Sequence, residues 1–109
     1  MEPTTFEKSE FLETDNYEGT IDYAQKLAKC FKQVNYEVIG KSGAGRDIPM
    51  LIVDENGYTK PEKIRKQGKA IVWVESCIHP GEPNGKDAMF MMIRDMLADS
   101  LNINLLKES

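Results

Sequence analysis

The sequence is poor in several things, and each shortage excludes something. It holds two cysteines, Cys30 and Cys77, too few for a disulfide framework. Cys77 lies in an apolar run and Cys30 on a predicted helix, so both are expected to be buried thiols. No apolar stretch approaches the roughly 20 residues a membrane span needs, so no membrane partner is expected. The opening Met-Glu-Pro-Thr-Thr-Phe-Glu lacks the charged-then-apolar pattern of a signal peptide. Positive charge is also scarce. A formal net charge of −4 gives no basic face for nucleic acid. The one basic run, Lys60, Lys63, Arg65, Lys66 and Lys69, is interrupted by Pro61 and Glu62 and reads as a solvated connection. There is one histidine, His79, and any imidazole chemistry must use it.

What is present fits one small domain. At 109 residues the chain can bury a core, with a narrow margin. Residues 1–16 are polar and without period, and are expected to form an extended arm ahead of a unit spanning 17–109. A helix is predicted from near Thr20, with Ile21, Ala24, Leu27, Ala28 and Phe31 on its apolar face. A hairpin should follow: a strand at 36–41, a turn at Ser42-Gly43-Ala44-Gly45, and a second strand at 47–53. Pro49 in the second strand points to a position whose N–H the ladder does not need. Residues 54–69 read as a polar excursion with a helical turn at 61–66.

The run Ala70-Ile71-Val72-Trp73-Val74 is continuously apolar, which fits a strand buried on both faces of a parallel sheet, extending to about Ile78. His79-Pro80-Gly81-Glu82-Pro83-Asn84-Gly85 is then a loop, because two prolines and two glycines punctuate it. A helix over 86–101 follows, with Asp87 in its first turn and a wide stripe that includes Met89, Met92, Ile93, Met96 and Leu97. Helix, hairpin, buried strand, loop and helix make an α/β arrangement.

In such folds, sites gather beyond the carboxyl ends of the strands. His79 and Glu82 fall there, and imidazole nitrogen and carboxylate oxygen are both zinc donors. A His-x-x-Glu pair is common in any sequence; its place after a buried strand gives it weight. It supplies two ligands where a catalytic zinc takes three.

Three blocks in order resemble the zinc carboxypeptidase family (carboxypeptidase A-like, peptidase family M14). They are the hairpin segment Val38-Ile39-Gly40-Lys41-Ser42-Gly43-Ala44-Gly45-Arg46-Asp47-Ile48-Pro49, the strand 70–78, and Ile78-His79-Pro80-Gly81-Glu82. The continuation Gly85-Lys86-Asp87-Ala88 is similar to a bacterial branch. The resemblance covers about 17 to 100 and implies the N-terminal part of an α/β/α mixed-sheet fold. It implies that His79 and Glu82 ligate one Zn2+ and that the intact protein hydrolyses C-terminal peptide bonds. Arg46 matches a hairpin arginine, for which a structural role is expected. Gly81 and Pro83 stand where animal digestive members carry Arg and Trp, so the digestive substrate preference does not transfer.

In the family, the third ligand, the oxyanion-stabilising arginine and the glutamate base all lie further along the chain than Ser109. Glu75 and Glu108 are poor substitutes for the base, Glu75 at a strand edge and Glu108 at a terminus. No catalytic residue is therefore assigned within residues 1–109, which should be inactive alone. Exposed apolar edges would favour self-association. The resemblance implies a secreted or periplasmic protein with its signal removed; a cytoplasmic one is the alternative. Two other functions stay open: a zinc amidohydrolase of the succinylglutamate desuccinylase or aspartoacylase type, and a non-enzymatic binding fragment.

Overall fold

A computed structural model describes residues 1–68, 70–76 and 84–98. Its elements are α1 (Thr5–Lys8), α2 (Tyr17–Cys30), β1 (Val34–Lys41), β2 (Asp47–Val53), α3 (Pro61–Arg65) and α4 (Asn84–Ala98). The composition is mixed α/β, as the sequence predicts.

Helix α2 begins at Tyr17, three residues before Thr20, because Asn16 caps it. The Asn16 Oδ1 accepts the Gly19 N–H at 2.9 Å, satisfying a donor left open by the first turn. The helix buries Tyr23, Ala24 and Leu27, so the face is rotated slightly toward Tyr23 relative to the predicted stripe. Leu27 is fully buried and forms the core with Tyr23, Val34 and Ile93. Phe31, Leu51, Val53, Phe90 and Leu97 pack around that cluster. Cys30 is exposed, against the expectation of a buried thiol: it ends α2 and faces away from the cluster. Cys77 lies outside the described residues.

The hairpin is antiparallel and pairs Val34 with Val53 at its base and Lys41 with Asp47 at its tip. β1 starts two residues earlier than predicted, because buried Val34 extends the ladder toward the core. The register shifts between Val38, opposite Pro49, and Gly40, opposite Ile48. The irregularity adjoins the one residue of β2 that has no N–H to donate. Ser42 and Gly45 close the turn, with Gly45 at φ 80°. After β2, buried Asp54 organises the next turn. Its carboxylate accepts the Asn56 N–H (2.9 Å), the Tyr58 N–H (3.1 Å) and Gln67 Nε2 (3.3 Å). A buried carboxylate needs such donors to replace water. The helical turn predicted at 61–66 is α3, opened by Pro61 at its N-terminus.

Two expectations need correction. The first sixteen residues are not simply extended. Thr4 caps α1 in a reciprocal arrangement with Glu7, and the chain then turns through left-handed Glu10 and Phe11. The run 70–76 is not a buried parallel strand. It carries no regular secondary structure, and Val72 and Trp73 are 70% and 65% exposed. A strand of that composition needs hydrogen-bonded neighbours and cover on both faces. Among the described residues the only sheet is β1–β2, which pairs with itself. Residues 77 and 78 of that run lie outside the described residues.

Candidate metal centre

The candidate ligands His79 and Glu82 lie outside the described residues, as do Cys77 and Glu108. The chain on either side of them is described. Ser76 and Gly85 lie near one another on either side of this segment: a Cβ built on Gly85 would lie 3.4 Å from the Ser76 Cβ and Oγ. The loop predicted to reach 85 gives way to α4 already at Asn84.

The first turn of α4 is tied to the N-terminal arm. Asp87 is buried, and the Thr14 hydroxyl donates to its Oδ2 at 2.7 Å. Lys86 Nζ donates to the Asp15 carbonyl at 2.9 Å and meets the Thr20 hydroxyl at 3.2 Å. Two turns on, Arg94 forms a forked ion pair with Glu7, its Nη2 to Oε2 at 2.9 Å and its Nη1 to Oε1. The guanidinium holds the Glu7 carboxyl down to about 2, against a usual 4.5. The sequence reading missed these contacts. The clue available was the pair of opposite charges, Asp87 and Arg94, spaced seven apart on the helix.

Other singled-out residues are accounted for by local partners. Arg46 lies over the Tyr17 ring, 4.8 Å from its centroid, and the Tyr17 hydroxyl donates to the Asp47 carbonyl at 2.8 Å. That joins the hairpin tip to the start of α2, in keeping with a structural arginine. Glu75 accepts the Trp73 indole N–H at 2.8 Å on the surface. Among the described residues, no three His, Cys, Asp or Glu side chains gather as a metal site. An open depression of about 380 Å³ between α2 and β1, lined by Gln25, Lys29 and Asn35 among others, offers none of these donors.

Compared with known proteins, the sequence matches the family model described as zinc carboxypeptidase over residues 20–108. The chain belongs to the zinc carboxypeptidase family. Neither a curated protein nor a solved structure matches it. Zinc dependence is general in this family, and the matched span includes both His79 and Glu82. An imidazole and a carboxylate separated by two residues are a donor set suited to zinc. Residues 1–19 precede the span matched to the zinc carboxypeptidase family.

Proposed function

We propose that the chain is the N-terminal part of a zinc-dependent carboxypeptidase that cleaves C-terminal peptide bonds, with His79 and Glu82 as two of the zinc ligands. The observation that carries this reading is the family match over 20–108, which spans the His-x-x-Glu pair and the Gly-Arg-containing hairpin. The nearness of Ser76 and Gly85 supports it, because a segment whose two ends already lie close loses less entropy when its donors converge on one ion.

Bound zinc supplies Lewis acidity toward the scissile carbonyl and lowers the pKa of water. The work of this chain's residues is narrower. The His79 imidazole and Glu82 carboxylate hold the ion, and Pro80 and Pro83 limit the conformations open to the segment between and beside them. With one histidine in the sequence, a second imidazole ligand comes from outside residues 1–109. The base that takes a proton from water and the donors that stabilise the oxyanion come from there as well. Loss of one such donor costs about 100- to 1000-fold in rate, so residues 1–109 are inactive alone.

The test is release of the C-terminal residue from an N-blocked peptide. Residues 1–109 should give no turnover. A chain carried on to include the remaining ligand and base should give zinc-dependent turnover that His79→Ala abolishes. Comparable turnover by the two would contradict the incomplete-site reading. Cleavage of small N-acyl amino acids, with peptides untouched, would favour the amidohydrolase alternative.

A further inference from the structure

We propose that Asn56, followed by Gly57, is a site of spontaneous deamidation, and that Gln67 sets the rate at which the folded chain undergoes it. The inference is independent of the zinc assignment.

Asn56 is exposed in the turn that follows β2. The fold demands glycine as its neighbour. Gly57 has φ 74°, and a Cβ there would lie 2.7 Å from the Lys32 carbonyl oxygen. A backbone nitrogen without a side chain to shield it thus directly follows an exposed side-chain amide. In such a pair the Gly57 nitrogen gives up its proton and bonds to the Asn56 Cγ. The Cγ–Nδ2 bond breaks, and ammonia leaves with that proton. Water then opens the cyclic imide at either carbonyl, leaving aspartate or isoaspartate at position 56.

Three hydrogen bonds oppose ring closure. The Gly57 N–H donates to the Asp54 carbonyl at 3.0 Å, the Asn56 N–H to the Asp54 carboxylate at 2.9 Å, and Asn56 Nδ2 to Gln67 Oε1 at 2.8 Å. The first two belong to the turn itself. The third holds the leaving group, and its acceptor comes from the far side of α3. Gln67 in turn donates its Nε2 to Asp54 Oδ1 at 3.3 Å, so two amides and a buried carboxylate form one directed chain. The Asn56–Gln67 bond is exposed to solvent, where local opening is frequent.

Conversion undoes the turn that slows it. A carboxylate at position 56 has no proton for Gln67 Oε1 and sets a like charge beside Asp54. The isoaspartate form also lengthens the backbone before Gly57. That draws the Tyr58 N–H away from Asp54 and the Gly57 carbonyl away from Asn35 Nδ2, each 3.1 Å apart in the intact turn. A buried carboxylate deprived of its donors is costly, so the segment 54–68 loosens from the base of the hairpin. Asn84-Gly85 is the same pair of residues, but α4 begins at Asn84, and closing an imide there must break a helical turn.

The experiment holds residues 1–109 at mildly alkaline pH and follows the amide-to-acid mass change at each asparagine by peptide mapping, with isoaspartate resolved by chromatography. Asn56 should convert ahead of Asn84. Gln67→Ala should speed conversion at Asn56 about fivefold, the factor one neutral hydrogen bond is worth, and leave the Asn84 rate unchanged. In urea, where the turn is gone, the parent and Gln67→Ala should convert at one rate. The converted chain should show faster hydrogen exchange at the Tyr58 amide. The proposal is overturned if Asn56 keeps its amide in the folded chain over a period in which the urea-unfolded chain converts, or if Asn84 converts first. A folded Gln67→Ala chain that deamidates at the parent rate, or one that speeds Asn84 equally, overturns the role of Gln67.

Discussion

Glu7 and Arg94 lie 87 residues apart in the chain and form a forked ion pair that joins the N-terminal arm to the third turn of α4. Both side chains are mostly sheltered, with 24% and 15% exposure, so water screens the pair only in part. Thr4 adds a backbone and a hydroxyl donor to the same carboxylate.

This pair makes stability depend on pH in a defined window. The folded-state carboxyl titrates at about 2, below its usual 4.5, chiefly through the Arg94 hydrogen bond. Folding therefore favours the ionised form. The resulting stabilisation, on the order of 3 kcal/mol, is fully present above about pH 4.5 and is lost as pH falls toward 2. Glu7→Gln should lower the urea-unfolding free energy by about 2–3 kcal/mol at pH 7 and by little at pH 2. An equal cost at both pH values would contradict the assignment.

Leu27 is completely buried between α2, β1 and α4. Leu27→Ala should cost about 2–5 kcal/mol, read as a fall in the denaturation midpoint with unchanged slope. A cost under about 1 kcal/mol would show that this cluster is not the core.

Two glycines with left-handed backbone should respond differently to alanine. Gly45, at φ 80°, faces open space, so Gly45→Ala should cost about 1 kcal/mol from backbone strain alone. Gly57, at φ 74°, would place a Cβ 2.7 Å from the Lys32 carbonyl oxygen, a backbone atom that cannot swing aside. Gly57→Ala should cost about 1–3 kcal/mol more than Gly45→Ala. Equal melting temperatures of the two variants would refute this placement of the 54–57 turn.

Trp73 is the only tryptophan and is 65% exposed. Residues 1–109 should show red-shifted fluorescence that is readily quenched by iodide. Blue-shifted, protected emission would show that the run 70–76 is covered, as its composition leads one to expect.

That run marks where sequence reasoning was strong and where it failed. Period and punctuation placed α2, the hairpin, α3 and α4 to within a few residues, because each is built from local signals: the apolar period from Ile21 to Phe31, the Gly45 turn, Pro61 and the methionine-rich stripe. An unbroken apolar run reports the environment a segment suits, and nothing in Ile71–Val74 says which neighbour provides it. The arm failed for the opposite reason. Its contacts join residues far apart in the chain, such as Thr14 with Asp87, and polar side chains without period give no warning of such pairing. The candidate ligand pair, His79 and Glu82, was legible only as a motif, carried by the likeness of three blocks to one family.

The most direct test of the account is an NMR titration of residues 1–109 with zinc. The chain has a single histidine, so the imidazole resonances of His79 are unambiguous. Zinc should shift them and displace the imidazole proton, lowering the pH at which the ring titrates. Glu82→Gln should weaken the response about 10-fold or more, because a neutral amide is a poorer zinc donor than a carboxylate. Imidazole resonances unmoved at millimolar zinc, or an unchanged affinity in Glu82→Gln, would contradict the assignment of His79 and Glu82 as partners in one zinc site.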